Sequence, residues 1–181
     1  MDVFCEYLIK KKMEAKDFLL IVLLGILAIG ITGFIVLAFL MFGETFMGLN
    51  LLIVVGVWWF YIKFAAGLSV EYEFTLTNHE LDIDRIKAKS RRAHISTVNL
   101  KKIEYFGKRT NPKVAECMKH SGQISREYYY VSSKKAENIY VTDVISKKDG
   151  SKIRINLELS DNMVKNIRLA NPAAVFLEEE F

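Results

Sequence analysis

Residues 18–42 read FLLIVLLGILAIGITGFIVLAFLMF, a stretch with no charged side chain and with Thr32 as its one polar group. At 1.5 Å rise per residue, about 20 such residues cross the roughly 30 Å of hydrocarbon in a bilayer. A soluble core helix alternates apolar and polar positions with a period near 3.6, whereas this segment is apolar on every side. The stretch predicts a membrane span, and the neighbouring segments take their meaning from it.

A second apolar segment runs over residues 46–62, is interrupted by Lys63 and continues as FAAGL to Leu68. It predicts a span at 46–66, because a lysine can lay its stem along lipid and lift its ammonium to the headgroups. Trp58, Trp59, Tyr61 and Lys63 sit where interfacial anchors belong. Only GET, residues 43–45, separates the two segments, so residues 18–68 predict an antiparallel transmembrane hairpin. Gly25, Ala28 and Thr32 fall at i, i+3 and i+7 on one face, where Gly56 of the second helix can approach closely.

Lys10, Lys11, Lys12 and Lys16 precede the hairpin, Lys63 closes it, and the connecting loop carries Glu44 and no basic residue. That asymmetry predicts a multi-pass protein of the cell membrane with both termini cytoplasmic. A cleaved signal peptide would have a core of about 7–15 apolar residues and no second span after it. Residues 1–17, MDVFCEYLIKKKMEAKD, put Phe4, Tyr7 and Leu8 on one side and lysines on the other. Two readings stand: an amphipathic helix at the membrane surface, or a tail whose lysines enforce topology.

Beyond the hairpin, residues 70–171 are long enough to bury one core as a cytoplasmic domain, and 172–181 form an acidic tail that either packs on the domain or meets its basic cluster. The chain's net charge of +4 resides in this second part. Cys5 and Cys117 give no disulfide framework. Here the apolar period becomes two: Val70, Tyr72, Phe74 and Leu76 alternate with Glu71, Glu73, Thr75 and Thr77. The turn TNHE, a strand over ELDIDRIKA, the basic turn KSRR, and strands at RAHISTV and LKKIEYFG read as an antiparallel meander. Asn111 as cap and Pro112 at the first helical position predict a short helix at Pro112–Lys119. Strands at REYYYVS, NIYVTDVI and KIRINLEL follow, the last two joined through Lys148, Asp149 and Gly150. Leu159 and Val164 flank a Ser160 cap and begin a helix to about Ala170. The count is seven strands and a C-terminal helix, hence an α+β membrane protein with a small antiparallel β-barrel or sandwich.

That order, and in particular YEFTLTNHELDIDRIKAKSRRAHISTVNLKKIEYF from Tyr72 to Phe106, resembles the bacterial pleckstrin-homology-like (PH-like) domains that follow paired membrane helices. It is similar to small two-span proteins of Gram-positive bacteria that end in such a domain. The resemblance implies a binding module. Phosphoinositide-binding members of the wider superfamily use basic residues around the first hairpin. Here Thr77, Asn78, His79 and Glu80 are flanked by Glu71, Glu73, Asp82 and Asp84, so that site does not carry over.

The basic charge lies later, with Arg85, Lys87, Lys89, Arg91, Arg92, Lys101 and Lys102 and no acid between Arg85 and Ile103. Lys87, Lys89, Arg91, Arg92, Lys101 and Lys102 predict a turn that contacts an anionic leaflet or a protein partner, each contact being worth about 1 kcal/mol near the surface. A solvated face is the plainer reading of the same run. Nucleic acid is not expected as a partner, since no aromatic stacking platform accompanies the charges. In Tyr128, Tyr129 and Tyr130, strand alternation makes one set core and leaves the other for an interface; the sheet edge is an equal candidate for docking. Cys117 and His120 are half a metal site without a second pair, so no metal or other cofactor is expected. Asp82 and Asp84 share a strand face but read as exposed acids, and no phosphate loop or nucleophile elbow appears, so neither an enzyme nor a small-molecule substrate is expected. The expected function is a membrane-anchored, non-catalytic module that contacts lipids, protein partners or a second copy. The alternative is an accessory subunit that joins a larger transporter or envelope complex through its helices, with a membrane enzyme third.

Overall fold

The computed structural model describes residues 4–42, 47–146 and 149–176, which divide into two compact units. One consists of Lys12–Val70 together with Lys87–Lys89, and the other of the remaining described residues. The first unit is built on two helices, α1 (Ala15–Phe42) and α2 (Met47–Gly67). α1 starts three residues before the uninterrupted apolar run because Asp17 accepts a hydrogen bond from the Glu14 N–H at 3.1 Å, closing the first turn. α1 and α2 are apolar nearly throughout, and among the described residues of the two helices Ala28 alone is buried. Both helices are long and apolar enough to cross a membrane. The connecting residues 43–46, with Glu44 and the expected start of the second span at Phe46, lie outside the described residues.

The helix contact differs in detail from the expected one. A Cβ on Gly25 would lie 3.3 Å from the Tyr61 hydroxyl, so the small residue receives a tyrosine ring. Ala28 is buried and Thr32 donates its hydroxyl proton to the Ala28 carbonyl at 2.8 Å. Gly56 has no atom within 4 Å of its would-be Cβ and faces an open groove.

The second unit holds two sheets. In the first the order is β1 (Phe4–Lys10), β2 (Val70–Thr77), β3 (Glu80–Lys87) and β4 (Arg91–Asn99). β1 corrects the reading of the N-terminal segment as a surface helix. It pairs antiparallel with β2 along its whole length, from Phe4↔Thr77 to Lys10↔Glu71. The helical spacing of Phe4, Tyr7 and Leu8 concealed an alternation in which Cys5, Tyr7 and Ile9 turn inward. Seven residues are too few for a stable isolated helix, whereas a ladder to β2 satisfies the backbone and buries Ile9.

The expected strand at LKKIEYFG is broken. The Asn99 side chain accepts from the Lys101 N–H, capping a 3-10 turn at Leu100–Lys102, and the Leu100 N–H donates to the His79 carbonyl at 2.8 Å. Leu100 and Ile103, three apart, both face the core, which suits a period of three. β5 (Phe106–Lys108) resumes the extended chain, and α3 (Pro112–His120) follows its predicted Asn111 cap. Then come β6 (Arg126–Tyr130), β7 (Ile139–Ile145), β8 (Lys152–Glu158), α4 (Asp161–Ala170) and β9 (Val175–Phe176). Residues 147–148 and 177–181, hence Lys148 of the expected hairpin and most of the acidic tail, are outside the described residues.

The second sheet has the order β6-β8-β7-β5-β9. β7 and β8 form the expected antiparallel hairpin, but β6 runs parallel to β8 and β9 parallel to β5. The described residues thus contain nine strands in place of the expected seven, and the sheets are not hydrogen-bonded into a closed barrel. Two features add the strands: β1 arrives from before the helices, and the chain returning from α4 lays β9 beside β5. Phe74, Leu76, Leu81 and Ile83 of the first sheet meet Ile155 and Leu157 of the second and Met163 and Ile167 of α4 in one core. A smaller cluster of Tyr105, Val114 and Val141 lies beneath α3. There, a Cβ on Gly107 would collide with the Phe176 carbonyl oxygen and with Val114.

Candidate functional site

The turn between β3 and β4 holds Ala88 and Lys89 at φ of 52° and 56°. Two consecutive left-handed residues give the mirror-type turn that matches strand twist, usually made by Asn or Gly. Here neither is present, and each non-glycine residue in that region costs on the order of 1–2 kcal/mol. An external bond accompanies the strain: the Ala88 N–H donates to the Ser69 carbonyl at 3.0 Å, two residues beyond the end of α2. The turn is thereby part of the helix unit. Lys87 and Lys89 are exposed, as are Lys12 and Lys16 at the start of α1 and Lys63 in the last turns of α2. Five lysines against Glu14 and Asp17 therefore mark the end of the helix pair at which the chain enters and leaves it.

The six basic residues predicted as one patch do not stay together. Arg92 pairs with Glu73 and, at 2.8 Å, with Asp84. Asp84 also holds His94 Nδ1 at 2.8 Å, and Asp82 accepts from the Thr97 hydroxyl. Burial pushes the Asp84 carboxyl up, but hydrogen bonds from His94 and Arg92 outweigh it and leave it below the usual range. The outer face of the first sheet is thus a ladder of opposite charges in which Arg92 is engaged and each aspartate has its own partner. Arg91 is exposed beside the turn. Lys101 and Lys102 lie past the other end of β4, about 30 Å away along a nine-residue strand, next to the acidic β2–β3 hairpin.

Of the aromatic residues expected as anchors, Trp58 and Tyr61 make an edge-to-face contact at 5.8 Å, and Trp59 is 60% exposed. All lie within about 14 Å of the α2 end along the axis, on the same end as Lys63.

The fold brings together a second polar cluster from residues far apart in the sequence. Asp143 and Arg154, direct cross-strand partners in β7 and β8, form a two-pronged pair at 2.8 and 3.1 Å. Arg154 also donates to the Ser121 hydroxyl at 2.7 Å and to the Met118 carbonyl at 3.2 Å, satisfying the C-terminal end of α3. Nearby, Nη1 of Arg109 reaches Tyr129 Oη at 2.9 Å, Glu127 at 3.0 Å and Asn156 at 3.1 Å, and Asn156 is fully buried. The one signal available was the placing of Asp143 in a mostly apolar β7 and of Arg154 and Asn156 in β8, at positions the hairpin register sets opposite or beside one another. Tyr128 and Tyr130 stack on the core side, with Tyr130 against Tyr72, while Tyr129 turns toward Arg109. Cys117 and His120 share α3, where His120 Nδ1 bonds the Glu116 carbonyl of its own helix.

A family model described as Bacterial PH-like domain (DUF6106) matches residues 1–177. No curated protein and no solved structure matches the chain.

Proposed function

We propose that this chain, which belongs to that family of bacterial PH-like domains, is a membrane-anchored cytoplasmic binding module whose β3–β4 turn reads the anionic surface of the leaflet. The observation that carries the reading is the bond from Ala88 to Ser69, because it ties the basic turn to the end of an apolar helix. Near an anionic leaflet, each lysine contributes about 1 kcal/mol, and the attraction fades within a Debye length of about 8–10 Å. Lys12, Lys16, Lys63, Lys87 and Lys89, with Arg91 beside them, are then the contacting set. Arg92, Lys101 and Lys102 drop out, the first because it is paired and the others because of their distance. The cytoplasmic orientation rests on the same lysines.

The test uses the full chain, since β1 belongs to the folded sheet. In nanodiscs of neutral or anionic lipid, hydrogen exchange at Lys89 and Ser90 is expected to slow only with anionic lipid. The slowing should disappear at high salt and in a Lys87→Gln, Lys89→Gln, Arg91→Gln variant. Equal exchange in neutral and anionic discs would sink the proposal. The open groove between the helices, floored by Ala28 and Gly56 and walled by Leu24, Ile31 and Ile53, favours a second reading as an accessory subunit. Gly56→Leu fills that groove. It leaves the turn's exchange unchanged under the first reading, and under the second it abolishes co-purification of a partner complex from native membranes.

A further inference from the structure

We infer that the sheet unit carries a separate site for a phosphoryl-bearing ligand, in the cleft that Arg109, Lys119 and Arg154 line beside α3. The cleft has a volume of about 350 Å³, and its other lining residues are Ala115 and Met118, so three of its walls are cationic and none is acidic. The three cations come from different elements: the end of β5, the last turns of α3, and β8.

Two of them are held in place from behind. Asp143, Ser121 and the Met118 carbonyl take the Nε and Nη2 protons of Arg154, while Glu127, Tyr129 and Asn156 take Nη1 of Arg109. Among the described residues this leaves Nε and Nη2 of Arg109 as uncommitted donors on a residue that lines the cleft, while Arg154, which also interacts with the buried Tyr105 hydroxyl, contributes its fixed charge. The Lys119 side chain has no ion pair or hydrogen bond there at all. Anchoring a guanidinium by one edge leaves its remaining N–H groups preorganised for an incoming oxyanion.

With Asp143 and Glu127 counted against the three cations, the cluster keeps one positive charge, which suits an anion. Cationic side chains from three elements line the cleft, which suits the three peripheral oxygens of a tetrahedral group, whereas a planar carboxylate is satisfied by a single fork. Ala115 and Met118 provide an apolar floor for the part of the ligand that bears the phosphoryl group. The β3–β4 turn has no part in this cleft, so the inference stands apart from leaflet binding.

Titration calorimetry on the full chain in neutral detergent tests it, with pyrophosphate, a short-chain soluble phosphatidate and acetate as probes. Saturable binding of pyrophosphate or of the phosphatidate is expected, with little from acetate; which of the two binds tells a free phosphate from a lipid headgroup. Lys119→Ala, at an exposed position that leaves the fold intact, should weaken binding about tenfold, the loss of one charge-assisted contact. Arg109→Gln should weaken it as well, with unliganded melting of both variants checked first. Absence of binding by both phosphoryl probes, equal binding of acetate, or binding unchanged in Lys119→Ala would overturn the inference.

Discussion

Asp143 is 3% exposed, and both of its oxygens face the guanidinium of Arg154. Burial alone would push this carboxyl up, but hydrogen bonds led by that of Arg154 hold it below the usual range. A buried pair of this kind contributes little net stability, yet removing one partner strands a buried charge and costs about 3–5 kcal/mol. Asp143→Asn is therefore expected to destabilise the sheet unit by that amount at neutral pH. The pH dependence has a definite sign. A carboxyl whose folded pKa is depressed adds stability above its unfolded value, near 3.9, and loses it as pH falls through the folded value. Thermal melts in mild detergent should show the wild type weakening below about pH 4, and Asp143→Asn should flatten that limb. An equally steep limb in the variant would assign the acid sensitivity elsewhere.

Among the elements, β1 is where local pattern and tertiary context diverge. Its residues satisfy a helical spacing through Phe4, Tyr7 and Leu8 and a strand spacing through Cys5, Tyr7 and Ile9. Pairing with β2 selects the second, and the two readings make opposite mutational forecasts. As a strand, Ile9→Ala opens a cavity in the shared core and should cost about 2–5 kcal/mol, while Leu8→Ala, at a half-exposed position, should change stability by less than about 0.5 kcal/mol. A surface helix would give the reverse order, so chemical or thermal unfolding of the two variants decides between them. α3 and α4 behaved otherwise. Asn111, Pro112, Ser160 and the Leu159–Val164 pair act within a few residues of the helix starts, and those starts fall where the caps put them.

For the whole molecule, the ladder between β1 and β2 constrains topology. The chain passes from Lys10 through both apolar helices and returns at Val70 to a strand hydrogen-bonded to the one it left. If the helices cross a bilayer, they must do so as an even pair, with β1 and β2 on one side. With Cys5 and Cys117 replaced by Ala, Glu6→Cys and Lys134→Cys are expected to react with a membrane-impermeant maleimide from the same face of oriented vesicles. Labelling from opposite faces would break the ladder and the hairpin together. The positive end of the helix pair, where Lys12, Lys16, Lys63, Lys87 and Lys89 gather, is a property of this scale too, since those lysines come from three separate stretches of chain.

Much of the fold was legible because it depends on neighbours in the chain. The two apolar helices, the alternation of β2, β3, β7 and β8, and the caps of α3 and α4 follow from side-chain period and from groups within about four residues. The split of the basic residues was not legible. A run such as KAKSRRAHISTVNLKK is contiguous in sequence, but an extended strand carries its ends far apart, and Arg92 meets acids from other strands. Nor were β6 and β9 legible as parallel neighbours, since a parallel partner is set by where a crossover returns and short stretches of chain do not encode that. The polar cluster around Arg109 and Arg154 shares that origin: its members span residues 109–156, and only the packing of α3 on the second sheet brings them to one cleft. Sequence alone determined the two apolar helices, the strands β2, β3, β7 and β8, the helices α3 and α4, and which end of the hairpin is positive. Tertiary structure decided the partner of β1, the company of each charge and the presence of a cationic cleft, because hydrogen bonds and ion pairs act between groups close in space however distant along the chain.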